Sequence, residues 1–269
     1  MNWQDRCNIA TRIARDAGAL ALDYFRKQDD LVIDQKGHQD FVSQADREVE
    51  LFVRAALEQA FPQDGIVGEE HDPKPGTSGF TWVIDPIDGT ANFVSSIPYW
   101  CVVLAGVETG KTRVSVTHDP VHDECFTATS GGGAFVNDRP IRVSSGKTLR
   151  DGSVAVGVSG RAAPERFQML VKLITDEGGV IVRNASGALS LAYTAAGRFL
   201  GYTEAHMNSW DCLAGQLLIA EAGGVIEDQN ADEMIAHGGR IIAAAPEVFD
   251  DLLRLSEAAF TESGPKRRG

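Results

Sequence analysis

Asp85 and Asp88 stand three residues apart in the stretch Trp82-Val83-Ile84-Asp85-Pro86-Ile87-Asp88-Gly89-Thr90. Two carboxylates, a glycine and a hydroxyl in that order could gather a hard cation and an anion in one place. Pro86 has no N–H to give to a strand ladder and biases Asp85 towards extended backbone, so a strand is expected to end there. Gly89 admits backbone angles closed to other residues and allows a sharp turn. Thr90 precedes Ala91-Asn92-Phe93, a helix start whose free N–H groups favour an anion. Alone, such a stretch also reads as a turn with two solvated aspartates. The apolar run Trp82–Ile84 before it reads as a buried strand. With that strand before it and Thr90 after it, the stretch points to a metal and phosphate site.

Three further acids occupy comparable positions. Asp46 opens a helix over about 45–60, with Val49, Phe52, Val53, Ala56 and Leu57 on one face. Glu69 follows the short strand Gly65-Ile66-Val67-Gly68. Asp211 lies two residues into a helix that starts near Ser209, the expected N-cap. Singly, Asp46 and Asp211 are first-turn acids that complement a helix dipole, and Glu69-Glu70 is a solvated loop. Together they share strand ends and helix starts, where open sheets collect ligands. Four or five carboxylates in one place repel unless cations neutralise them. Without a His or Cys cluster they select a hard, oxygen-loving ion, and Mg²⁺ is the usual one.

The remaining elements are legible from apolar periodicity. Residues 4–26 form an amphipathic helix. Leu31-Val32-Ile33 reads as a strand, Lys36 to Asp40 as a polar turn, and Phe41 to Ser43 as extended chain. Residues 71–80, with Pro73, Pro75, Gly76 and Gly79, form an irregular loop. Trp100–Val107, Thr112–His118, Glu124–Thr129 and Ala134–Val136 form an antiparallel meander, with His118 and His122 read as surface loop residues. From about 150, strands and helices alternate: 154–156, helix 164–176, 180–182, helix 187–196, and Phe199–Thr203 ending at Glu204. The helix from Ser209, strands 225–226 and 241–244, and a helix near 246–258 complete the chain.

The chain has 269 residues, 43% of them hydrophobic, and a net charge of −13. That length allows one large domain or two packed halves, about 1–148 and 149–262, with 263–269 as a flexible tail. The negative surface disfavours nucleic acid. No apolar run reaches the ~18 residues of a membrane span. Cys7, Cys101, Cys125 and Cys212 form no C-x-x-C pair and read as reduced core thiols of a cytoplasmic protein.

Asp46 in Phe41-Val42-Ser43-Gln44-Ala45-Asp46, Gly68-Glu69-Glu70, the Trp82–Thr90 stretch and Trp210-Asp211-x-x-Ala214-Gly215 together resemble the inositol monophosphatase superfamily of Mg²⁺-dependent, lithium-sensitive sugar phosphatases. The resemblance runs from the first helix to the end of the 209–223 helix. It implies a five-layer αβαβα sandwich and a homodimer. It implies two to three Mg²⁺ ions, with Li⁺ and Ca²⁺ inhibitory. Glu69, Asp85 and the Ile87 carbonyl would hold the first ion. Asp85, Asp88 and Asp211 would hold the second, and Glu69 would touch a weaker third. Asp46 and Thr90 would orient and deprotonate the attacking water, and Asp88, Gly89 and Thr90 would border the phosphate. Lys36 matches the lysine of the family's mobile hairpin. Glu204, with Ser186, Gly187 and Ala188, would meet the alcohol part of the substrate. Two segments depart from the family's usual pattern, both where that alcohol part is expected: Ser186-Gly187-Ala188-Leu189 and His206-Met207-Asn208-Ser209. The implied activity is hydrolysis of a small polyol phosphate, inositol monophosphate first, without a phosphoenzyme. Histidinol phosphate or a nucleotide 3′-phosphate is the alternative for the same chemistry. A non-catalytic regulatory binding role is a third reading.

Overall fold

The first helix, α1 (Trp3–Arg26), starts where the Asn2 side chain accepts the Asp5 N–H at 2.8 Å. The computed structural model describes residues 2–27, 33–37 and 40–260, the side chains of 33–37 and 40–42 excepted. A small antiparallel hairpin of β1 (Ile33–Gly37) and β2 (Asp40–Ser43) leads into α2 (Gln44–Ala60). Lys36 thus belongs to a strand rather than a turn. The Leu31-Val32 part of the expected strand and the tail 263–269 lie outside the described residues.

A seven-stranded sheet follows, ordered β3 (Gly65–Gly68), β4 (Phe80–Asp88), β5 (Cys101–Glu108), β6 (Lys111–Asp119), β7 (Glu124–Thr129), β8 (Gly133–Val136) and β9 (Arg139–Pro140). The short helix α3 (Thr90–Val94) sits between β4 and β5. β3 and β4 are parallel, and every later neighbour is antiparallel, which is the expected meander. His118 departs from expectation: it lies in β6 and is buried, its ring packed beneath Gly18 of α1.

The second sheet has five strands, drawn from β10 (Ser153–Val156), β11 (Val180–Val182), β12 (Gly201–Met207), β13 (Val225–Ile226) and β14 (Gly239–Ala244), in the order β11-β10-β12-β14-β13. The helices here are α4 (Pro164–Asp176), α5 (Gly187–Ala195), α6 (Ser209–Glu221), α7 (Ala231–His237) and α8 (Pro246–Phe260). Sequence periodicity did not mark α7, a seven-residue helix capped by Asn230.

Strand alternation sorts the apolar side chains into three cores. Trp82 and Ile84 of β4, with Val102 and Leu104 of β5, pack against α1 and α2. Val83, with Val103 and Ala105, faces the other way onto α5 and α6. That middle core also takes Ala155, Ile241 and Ala243 from the second sheet. Val154, Val156, Ile242 and Ala244 point outward onto α4 and α8. The result is helices, sheet, helices, sheet, helices: a five-layer αβαβα sandwich. The carboxyl ends of β3 and β4 and the amino ends of α5 and α6 meet in its centre.

Candidate active site

β4 does not end at Asp85. Its ladder with β5 slips there and resumes, with Asp85 opposite Val103 and Asp88 opposite Cys101. Pro86 occupies the irregular step, where its missing N–H costs no ladder bond. The Ile87 N–H turns back to Asp85 Oδ1 at 2.9 Å and fixes that carboxylate. Asp88 is buried and aims Oδ2 across the layers: it accepts the Ser186 hydroxyl and the Ala188 N–H, the latter at 2.9 Å.

Glu69, Asp85 and Asp211 converge, each offering a carboxylate oxygen within 4.8 Å of the others. Glu69 follows β3, which lies parallel to β4. The loop carrying it is gripped from α2. Glu50, fully buried, accepts the Glu70 N–H at 2.8 Å and pairs with Arg54 Nε at 2.6 Å. Arg54 in turn donates to the His71 carbonyl at 2.9 Å. A Cβ on Gly68 would collide with the Glu50 carboxylate, so only glycine allows this approach. Neither Glu50 nor Arg54 was singled out from the sequence. Their i, i+4 spacing, one turn on from Asp46 on the same helix, is the signal that could have found them.

Asp211 enters through a capping box, which corrects the expected cap. Asn208, not Ser209, is the N-cap of α6, and its N–H reaches Asp211 Oδ2 at 3.2 Å. Burial, then the charges of Glu69, Asp88 and Asp211, pushes the Asp85 carboxyl well above the usual range. Burial and the neighbouring Asp88 raise Asp211 to about 7. Burial also raises Asp88, against the hydrogen bonds from Ser186 and Ala188. A tight set of oxygen donors that resist their own ionisation fits a hard divalent cation, which would take over the role of the protons. Asp88 lies beside this trio.

Thr90 Oγ1 lies 2.9 Å from Asp46 Oδ1 and 3.1 Å from the Ile87 carbonyl. The other Asp46 oxygen accepts from Ser43 twice, from N–H at 2.8 Å and from Oγ at 2.6 Å. Burial raises the Asp46 carboxyl against these hydrogen bonds. Gly89 adopts φ +100°, and a Cβ there would stand 3.0 Å from the Tyr99 carbonyl. The sharp turn expected at Gly89 is therefore present.

A cavity of about 540 Å³ opens beside Asp88 and Asp211. Glu204 lines it, although not from a strand end as expected. β12 continues to Met207, paired along β14, with an irregularity between Glu204 and Met207. Tyr202 donates its hydroxyl to Glu204 Oε2 at 2.5 Å, and Gly157 closes over the same carboxylate. Burial raises Glu204 to about 7, with the Tyr202 hydrogen bond opposing. Ser186 and Gly187 line the cavity, whereas the Ala188 side chain is buried in the middle core. The Lys36 side chain lies outside the described residues.

A model of the inositol monophosphatase family matches residues 2–259. The Nus factor SuhB of Pasteurella multocida is 35% identical over 263 residues, covering 96% of this chain and 98% of its own. An inositol-1-monophosphatase of Rhizobium meliloti is 38% identical over 239 residues, covering 87% of this chain and 90% of its own. The crystal structure of the extragenic suppressor protein suhB from Bartonella henselae superposes with a TM-score of 0.87 at 34% identity. It covers 95% of this chain and 98% of its own.

Proposed function

This chain belongs to the inositol monophosphatase family, and from that premise we propose that it is a Mg²⁺-dependent phosphomonoesterase acting on a small polyol phosphate. Inositol monophosphate is the first candidate. The observation that supports this most is the convergence of Glu69, Asp85 and Asp211 within 4.8 Å, beside a cavity bordered by Asp88 and Glu204.

Glu69, Asp85 and Asp211 would hold the ions, with Asp88 and the Ile87 carbonyl beside them. Mg²⁺ bound there would make water more acidic and offset charge on the departing alcohol oxygen. Thr90 Oγ1, with its proton directed to Asp46 Oδ1, presents lone pairs that can accept a hydrogen bond from the attacking water. Asp46, with its basicity raised by burial, draws that proton along the pair. The N–H groups of Gly89 and Thr90, in the first turn of α3, would border the phosphate. Glu204, oriented by Tyr202, would accept hydrogen bonds from the alcohol's hydroxyls. Nothing in this assignment requires a covalent phosphoenzyme.

The test is phosphate release from a panel of inositol, sugar, histidinol and nucleotide 3′-phosphates. Activity should vanish in EDTA, return with Mg²⁺, be inhibited by Li⁺ and Ca²⁺, and be abolished by Asp85→Asn. Full activity after exhaustive chelation would sink the proposal. A regulatory binding role is the second reading, favoured by the Nus-factor name of the Pasteurella multocida relative. A cellular phenotype of deletion that is rescued by an inactive Asp88→Asn chain would select it.

A further inference from the structure

Asn92 lies inside α3, the short helix that Thr90 opens, and is 6% exposed. Asparagine is neutral to unfavourable inside a helix, so what its side chain reaches must explain it. Nδ2 donates one hydrogen to the Tyr99 carbonyl at 2.7 Å and the other to the Asn184 carbonyl at 2.7 Å. Both hydrogens of the NH₂ group are used, and two carbonyl acceptors fix which amide atom is the nitrogen.

The two acceptors belong to different parts of the cleft. The Tyr99 carbonyl backs the Gly89 turn: a Cβ on Gly89 would stand 3.0 Å from it. Asn184 lies 92 positions beyond Asn92, between β11 and α5. Asn184, Ala185, Ser186 and Gly187 line the cavity that holds Asp88 and Glu204. The same Cβ on Gly89 would stand 3.2 Å from the Ser186 side chain and 3.4 Å from the Ala185 carbonyl. The turn and the cavity wall are thus packed against each other, with one amide tied to both.

The wall needs such a tie. Ala185 adopts φ +57°, a region that residues with a Cβ seldom occupy. Backbone of that kind persists where its surroundings over-determine it, and it gathers at functional sites. Here the Asn184 carbonyl is held by Asn92, and Asn184 Oδ1 stands 2.8 Å from Ser190 Oγ. On the other side the Ser186 hydroxyl donates to Asp88.

We propose that Asn92 is a positioning residue: its amide sets the spacing between the Gly89 turn, which borders the phosphate, and the 184–187 wall, which faces the alcohol. It thereby helps decide which alcohols are accepted. The assignment rests on the phosphomonoesterase reading and adds the residue that aligns its two subsites.

The experiment compares two esters at saturating Mg²⁺: 4-nitrophenyl phosphate, and the alkyl phosphate of the substrate panel that is hydrolysed best. The readout is the ratio of kcat/KM for the alkyl ester to that for the aryl ester. Asn92→Ala removes both hydrogen bonds and should lower this ratio by about 10–100-fold, the scale of a misplacement near 1 Å. The KM for the alkyl ester should rise. Asn92→Ser reaches at most one of the two carbonyls and should give an intermediate ratio; it also carries the test should Asn92→Ala not fold. A role confined to fold stability lowers the melting temperature and leaves the ratio where it was. That result, or equal losses on both esters, overturns the inference. If the wild type hydrolyses no ester, the phosphatase reading fails by itself. Amide hydrogen exchange then decides the alignment: faster exchange at 184–188 in Asn92→Ala supports it, and an unchanged rate removes it.

Discussion

Thr90 Oγ1 meets Asp46 Oδ1 at 2.9 Å although 44 positions separate them in the chain. One residue opens the short helix after β4, and the other closes the capping box of α2, so two layers meet in one hydrogen bond. Thr90→Ala removes the hydroxyl that would align water. Its kcat should fall roughly 10²–10⁴-fold, the usual worth of acid–base assistance. Mg²⁺ affinity, followed by calorimetry, should change little. A large loss of Mg²⁺ binding with kcat intact at saturation would show that the pair serves the ion.

Glu204→Gln keeps the shape of the Tyr202 contact and removes the charge. A charged hydrogen bond contributes about 1.5–3 kcal/mol and a neutral one about 0.5–1.5. The loss in kcat/KM should be moderate for a polyol phosphate and larger for an aminated one such as histidinol phosphate. An aryl phosphate, which lacks both groups, should be hydrolysed almost as before. Equal, large losses on all three would move Glu204 to the metal centre or the fold.

Asp85, Asp88, Asp211, Asp46 and Glu204 all have raised pKa values in the folded chain. At these five groups the native state binds more protons than the unfolded one, and their summed contribution to stability falls as pH rises, outweighing the opposite contribution of His118, which burial pushes down to about 4. For Glu204 this contribution is present below the ordinary 4.5 and is lost as pH passes about 7. The metal-free protein should thus melt at progressively lower temperature from about pH 4.5 to 7. Mg²⁺ should raise the midpoint more at pH 7.5 than at pH 5.5, because its ligands must shed protons. A Mg²⁺-induced shift independent of pH, read by calorimetry, would contradict this.

Glu50→Gln leaves the Arg54 guanidinium, 8% exposed, without its counter-charge. Breaking one side of a buried pair costs about 3–5 kcal/mol. The urea midpoint should drop accordingly, and hydrogen exchange should quicken in residues 68–71. Replacing both partners, as Glu50→Gln with Arg54→Met, should recover much of the stability. A single-variant loss within about 1 kcal/mol, the range of an exposed pair, would show that the pair is solvated in solution.

The parts of the site that depend on local sequence were legible. Alternating apolar residues in β4 and β5 mark buried strands, and Asp46 and Asp211 announce helix starts. Glu69, Asp85 and Asp211 share those positions and do come together. What was not legible depends on neighbours far along the chain. Pro86 reads as a strand stop, yet β5 supplies a ladder that resumes beyond it. Glu204 reads as a strand end because it is the charged residue that closes the run Phe199–Thr203, yet β14 pairs with β12 as far as Met207. His118 reads as a loop residue beside Pro120, and only Gly18 of α1 reveals its burial. Ser209 and Asn208 are both good caps, and local sequence does not decide between them.

Asp88 grows from a strand of the seven-stranded sheet and terminates on Ser186 and Ala188, at the first turn of a helix beyond it. The two walls of the cleft are thus pinned by one carboxylate, and neither wall alone contains a working centre. Chains severed between β9 and β10 should regain activity only by complementation, when both fragments are mixed. The same pin leaves the 157–163 loop outside the joint. Mutational drift in that loop can retune which alcohol is accepted while the reacting end of the cleft stays assembled.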